Sequence, residues 1–299
     1  MKAVILMSYG SIYTINDVER FYTHILKGKR PSDHLIQELR ERFLAIGGKS
    51  PLNEISKKQA DKLQKFLNTS SPDPIKVYLA FKHIDPYIED VVKVMEDDGV
   101  TQAVALILSP YYSNYNISDY FKRTQSNKIK FHYVYGYYNN PLLIQAFKRR
   151  IESLVQYVLK RNLDDKDLYY LFSAHSLPEK ILPDCYPEQL SYVVNQLVDE
   201  LGIKNYGFAY QSAGKGNEKW LGPDILEVVE NLPHEYTTII SCPIGFISDH
   251  LEVLYDVDIE AKQLANQKGF ELYRINLFND DDDFIEVLAH ETLNSFNQN

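Results

Sequence analysis

The stretch SCPIGFISDHLEVLYDVDIEAKQLA, Ser241 to Ala265, decides how the chain is read. It opens at the end of a strand-like run, Thr237 to Cys242, and turns through Pro243-x-Gly245. A helical pattern then starts at Asp249, a good N-cap residue type. Within it Glu252, Asp256 and Glu260 recur every fourth residue. At about 100° per residue each step drifts only roughly 40°, so the three acids share one face. Leu251, Leu254, Tyr255 and Ile259 fall on the other. The stripe has two readings, a wetted surface face or a line of carboxylates that moves protons or a hard cation. A wide π turn would align the acids more closely, with Glu252 at the inner end and Glu260 at the outer.

Outward from this stretch, the apolar runs Ala3–Tyr9, Ile75–Phe81, Ala103–Ser109 and Lys130–Val134 alternate with helical patterns, the order of an open parallel sheet. The pattern restarts after Pro141: strands are expected at Leu168–Ala174, Tyr206–Gln211, Thr237–Cys242 and Phe270–Ile275, and a last helix at Asp283–Phe296. The fold class is therefore α/β, with two Rossmann-like domains. The first spans 1–136 and takes back 283–299; the second spans 137–282, with a ligand cleft expected between them. An acidic joint, Leu163 to Asp167, precedes the second domain's first strand.

The totals agree with this. A chain of 299 residues, 44% hydrophobic and 13% aromatic, buries a sizeable core. Twenty-three tyrosines supply apolar walls with polar tips. A net charge of −9 argues against a nucleic-acid partner. No apolar run reaches the roughly 18 residues of a membrane span. Two cysteines without a C-x-x-C pair fit a reduced, cytoplasmic protein with no cysteine-bound cluster. Ala213 to Asn217 is glycine-rich but lacks the spacing of a phosphate loop.

In an open α/β sheet the chemistry sits at the carboxyl ends of strands. His175 ends one such run between Ser173 and Ser176, and opposed to Glu252 it gives an acid/base pair or two ligands for a divalent ion. Its alternative is a ring that merely bonds a loop carbonyl. Tyr9 ends the first strand and reads either as packing or as a phenol near a ligand. Lys27, Lys29, Arg30 and Arg42, with Ser50 after Gly47-Gly48, read as carboxylate holders or as solvated loop charges.

Together these residues resemble the ferrochelatases across nearly the whole chain. The motifs are SAHSLPEK (Ser173–Lys180), YQS with WLGPD (Tyr210–Asp224), PIGFISDHLEVLYDVDIE (Pro243–Glu260), IGGKSPL (Ile46–Leu52) and FKHIDPYIED (Phe81–Asp90). DVERFYTHI at Asp17–Ile25 is most similar to the Gram-positive coproporphyrin ferrochelatases.

The resemblance implies insertion of Fe²⁺ into a porphyrin with loss of two pyrrole protons. His175 and Glu252 would be the catalytic pair, and Asp256, Glu260 and Tyr9 would share in metal handling. The porphyrin would lie against Tyr9, Lys27, Lys29, Arg30, Arg42, Ser50, Lys82, Tyr111, Tyr120 and Trp220. Iron is expected as substrate, with no tightly bound cofactor and no iron–sulfur cluster. Porphyrin, iron and haem-pathway enzymes are the expected partners, and a monomer the expected state. The chain departs from the family pattern in four places: Leu26 for an arginine, Asp119 for a serine, Tyr111 for a histidine, and Pro183-Asp184-Cys185 for Gly-Asp-Pro. Leu26 and Asp119 each take away help for propionate carboxylates. Alternatives at this stage are a protoporphyrin IX enzyme, reverse chelation, a cobalt chelatase, or a non-catalytic haem carrier.

Overall fold

Strand β1, Lys2–Ser8, shows how the sequence builds the sheet. Its residues from Ala3 to Met7 are all fully buried, so both faces of the strand are covered. An apolar run without alternation is what a central parallel strand requires. The computed structural model describes residues 1–70, 74–161, 165–214 and 218–297. Leu163 and Asp164 of the acidic joint, Lys215–Asn217 of the glycine-rich stretch, and the terminal 298–299 lie outside the described residues.

The chain divides into two compact units. Unit 1 comprises Met1–Tyr137, Ser248–Leu251 and Phe278–Asn299; unit 2 comprises Tyr138–Ile247 and Glu252–Leu277. Sequence patterning had assigned Ser248–Leu251 to the second half and begun the return at Asp283. Ser248 accepts a 3.0 Å hydrogen bond from Gln59, and the backbone N–H of Asp249 donates to Asn279 Oδ1 at 2.8 Å. Those bonds, with Leu251 packed against the cluster of Ile12, Phe21 and Phe43, tie the segment to unit 1.

In unit 1, β1 lies between β2 (Ile75–Phe81) and β3 (Gln102–Ile107), with β4 (Lys130–Tyr133) beyond β3, all parallel. Helices α1 (Val18–Ile25), α2 (Asp33–Ala45), α3 (Leu52–Ser70), α4 (Ile88–Asp97) and α5 (Ser118–Lys122) connect them.

Unit 2 repeats the order. Central β5 (Leu168–His175) lies between β6 (Tyr206–Gln211) and β7 (Thr238–Cys242), with β8 (Glu271–Arg274) outside β7. Its helices are α6 (Pro141–Leu159), α7 (Tyr186–Leu201), α8 (Ile225–Glu230), the π helix Val253–Ala261 and, continuing from it, α9 (Lys262–Gln267). The last helix, α10 (Asp282–Asn297), returns to unit 1 and packs on α3, β3 and β4.

In each unit the second strand lies on one side of the first and the third on the other. Connections therefore leave the first strand in opposite directions, and the opening between first and third strands is where such sheets bind ligands. In unit 2 that opening lies between β5, which ends at His175, and β7, which leads to the π helix.

The candidate active site

Four local features converge on His175. Its strand β5 is buried from Tyr170 to Ala174 and emerges at the histidine, whose side chain is 30% exposed. The Tyr186 hydroxyl donates to the His175 carbonyl at 3.0 Å, and the Ser176 N–H donates to the Gln211 carbonyl at 2.8 Å, fixing the strand end. His175 Nδ1 bonds the Ser176 carbonyl. That contact assigns the ring proton to Nδ1 and turns Nε2 toward Glu252, with Nε2 3.4 Å from Oε1.

Glu252 reaches this place because the loop after β7 passes very close to β5. A Cβ on Gly245 would lie 2.5 Å from the Ala174 Cβ and 2.6 Å from its Cα, so only glycine fits. The Gly245 N–H then donates to the Ser173 carbonyl at 3.1 Å. Six residues on, Leu251 and Glu252 begin the helix, so the N-cap expected at Asp249 is not where the helix starts. Asp249 instead pairs with Asn279, whose Nδ2 donates to Oδ2 at 2.8 Å.

The helix is a π helix over Val253–Ala261. Its wider turn takes back the drift that an α-helix gives to fourth neighbours. Val253, Val257, Ala261 and Ala265 are all fully buried, a stripe at spacing four. The acids Glu252, Asp256 and Glu260 stand at the same spacing beside it. The apolar face read from sequence, Leu251, Leu254, Tyr255 and Ile259, is only half-buried; the buried stripe is the one through Val253, Val257 and Ala261. Asp256 is 5% exposed and accepts from the Ser212 hydroxyl. Arg274 of β8 grips Asp258 by two bonds, 2.7 and 2.9 Å, anchoring the same helix. Glu260 is half-buried toward the outer end.

Burial on its own would depress the His175 pKa. The Glu252 charge and hydrogen bond, the Ser176 carbonyl and Asp256 outweigh it, and the imidazole is raised to about 9. At neutral pH His175 is thus an imidazolium facing a carboxylate, and the pair holds one exchangeable proton. Among the described residues no group of three or more His, Cys, Asp or Glu side chains is arranged to hold a metal ion.

Unit 1 carries a second cluster at the end of β1. Gly10 follows Tyr9 with φ +81°, and a Cβ there would meet Ile84 at 2.7 Å, so the turn also demands glycine. Tyr9 is 42% exposed, its ring 4.5 Å from that of His83 and edge-on to Phe21. His83 is buried, and its Nδ1 lies 3.0 Å from His24 Nδ1. Burial, then the charges of Lys82, His24 and Arg123, lower the His83 pKa to about 3. His83 and Ser212 fall within the motifs at Phe81–Asp90 and Tyr210–Asp224, but the sequence assigns them no role. Ser212, with φ +61°, is a non-glycine residue in left-handed backbone, a signal invisible in its letter.

The expected porphyrin-contact residues fare unequally. Lys82, just past β2, is almost enclosed: its amine donates to the Asn116 carbonyl at 3.3 Å, lies 3.5 Å from Asp119 Oδ2 and sits 4.7 Å over the Tyr120 ring. Tyr120 itself is 5% and Tyr111 2% exposed, so neither offers a ligand much surface here. Ser50 is buried, and its hydroxyl accepts from the Leu52 N–H, capping α3. Arg30, expected to hold ligand carboxylates, instead holds the protein's own: Glu19 at 2.6 Å and Asp33 at 2.8 Å. Lys27 and Lys29 are exposed, as is Leu26, and Arg42 is half-buried in the last turn of α2. Trp220 is half-buried and bridges to Pro178.

Two parallel-sheet units, one carrying a strand-end histidine against a carboxylate on a π helix, define a chelatase-type protein. The ferrochelatase family model matches residues 1–295, and the chain belongs to that family. It is 38% identical over 296 residues to the coproporphyrin III ferrochelatase of Geobacillus sp. (strain WCH70), covering 96% of this chain and 95% of the relative. It is 41% identical over 297 residues to that of Halalkalibacterium halodurans, covering 96% and 94%. Among solved structures, SirB from Bacillus subtilis with Fe³⁺ superposes with TM-score 0.59 at 12% identity, covering 99% of this chain and 98% of that one. The cobalt complex of a sirohydrochlorin chelatase SirB from Bacillus subtilis subspecies spizizenii gives 0.57 at 11%, covering 98% and 94%. At such identities these structures speak for the fold.

Proposed function

We propose that the protein inserts Fe²⁺ into coproporphyrin III, releasing two pyrrole protons and producing the iron porphyrin of haem synthesis. The observation that carries this is the His175–Glu252 pair at the mouth of the unit 2 sheet, backed by the buried Asp256 on the same π helix. The kinship to coproporphyrin III ferrochelatases over nearly the full chain supports the substrate.

The chemistry follows from the pair. Fe²⁺ approaching the site carries two positive charges and disfavours the imidazolium, whose proton passes toward Glu252. The freed Nε2 then accepts a pyrrole proton as the metal takes that nitrogen's lone pair. One more pyrrole proton leaves in the same way, so the porphyrin loses two protons for the two charges it gains. The Glu252–Asp256–Glu260 line gives those protons a succession of carboxylates. A geometry with two close partners rather than three or more supports proton handling as the first role of His175. Tyr9 and Lys82 are taken as porphyrin contacts on the family likeness, and iron as substrate rather than a resident ion. Neither described cysteine is in a disulfide, which supports a cytoplasmic setting.

The test is anaerobic Fe²⁺ insertion followed by porphyrin absorbance, with coproporphyrin III and protoporphyrin IX compared. Faster turnover of coproporphyrin III is expected. His175→Ala should nearly abolish insertion while still quenching porphyrin fluorescence on binding; near-normal insertion by that variant refutes the assignment.

A further inference from the structure

Lys82 and Asp119 form an unequal pair. The Lys82 side chain is 12% exposed and the Asp119 side chain 50%. The lysine amine is held between the Tyr120 ring and the Asn116 carbonyl. Asp119 sits in the first turn of the short α5, with half of its side chain open to water. Its carboxylate stands 3.5 Å from the amine, long for a charge-assisted bond. Burial lowers the Lys82 pKa and Asp119 opposes the drop, while Arg123 and Lys27 add to it. Arg123 is otherwise engaged, with two nitrogens on Glu89 at 2.9 and 2.6 Å and a third on the Lys82 carbonyl. An enclosed cation at the carboxyl end of a parallel strand, loosely matched to a movable anion, is arranged for exchange of that anion.

We propose that Asp119 is a displaceable counter-ion for Lys82, holding the place of a substrate carboxylate and weakening the grip on it by direct competition. The inference rests on the porphyrin reading above and adds to it the residue that tunes carboxylate affinity in this chain. On binding, a propionate of the porphyrin takes the amine and Asp119 swings outward. No bond is made or broken. Leu26 and Asp119 then act in one direction: the first supplies no charge and the second neutralises one.

Fluorescence titration of the intact protein with coproporphyrin III tests this, comparing the parent with Asp119→Asn, Lys82→Met and the double variant. Asp119→Asn keeps shape and removes charge. It should bind about two- to five-fold tighter at low salt. That gain should shrink in about 1 M salt, where the charges are screened. The double variant should bind as Lys82→Met does, because with the amine gone Asp119 has nothing to compete for. A parent that binds coproporphyrin III while Asp119→Asn gains nothing, or a gain that survives in the Lys82→Met background, overturns the counter-ion. A parent that binds no porphyrin at all overturns the porphyrin reading and the counter-ion with it. Circular dichroism of each variant separates these results from misfolding.

Discussion

The His175 imidazole is set by a contest between burial and a carboxylate. Glu252 and its allies prevail, so the ring stays charged up to about pH 9. Replacing Glu252 with Gln removes the leading opposition to burial, and the His175 titration should fall by at least about one unit. Proton–carbon NMR of the histidine ring reads this directly; an unmoved midpoint would mean that Glu252 does not hold the proton. The stability sign follows. A group whose folded pKa lies above its unfolded value contributes fully below the unfolded pKa of about 6.5 and loses that contribution as pH rises through about 9. The stability gap between parent and Glu252→Gln should therefore narrow from neutral pH toward pH 9 and above.

At the scale of elements, the strands were written plainly in the sequence and the catalytic helix was not. Ile75–Phe81 and Tyr206–Gln211 are strands with the bounds that the sequence suggests, although both lie at sheet edges and leave Lys76 and Tyr206 exposed. His175 was legible as a strand end, and Glu252 as the first acid of the every-fourth-residue stripe after another. The π turn was legible only as a condition, since a hydrogen-bonding pattern has no residue alphabet of its own. Arg30 shows the opposite failure: a basic loop residue reads as ligand-binding until its own acidic neighbours, Glu19 and Asp33, are seen around it. Ser212 has no role that its letter shows, because its backbone angle, not its type, aims the hydroxyl at Asp256. This yields a paired expectation. Ser212→Ala loses the hydroxyl and keeps the left-handed backbone, whereas Ser212→Gly loses the hydroxyl and relieves it. Glycine should be more stable than alanine by about 1 kcal/mol in urea unfolding. Both should insert iron roughly tenfold more slowly, the scale of one lost hydrogen bond. Parent-like insertion by Ser212→Ala would show that the Ser212 bond to Asp256 does not serve the reaction.

For the whole molecule, His83 links unit 1 to acid stability. Its folded pKa is about 3, against about 6.5 when unfolded, so below neutrality the unfolded chain binds a proton the folded one refuses. Stability then falls with pH on the order of 1 kcal/mol per unit across that window. His83→Gln should flatten the urea-midpoint curve between about pH 6 and about pH 4; an unchanged slope assigns the acid limb elsewhere. The position of α10 bears on the chain's history during synthesis. Its buried residues Phe284, Ile285, Val287 and Leu288 complete the packing over α3, β3 and β4, yet they leave the ribosome after all of unit 2. Unit 2 is nearly contiguous and has its strands in hand by Leu277. The first 137 residues must wait with part of their apolar surface uncovered, for on the order of ten seconds at ordinary elongation rates. The half of the protein made first is therefore the half finished last, and a nascent chain stalled before α10 presents a chaperone with the open flank of an otherwise built sheet.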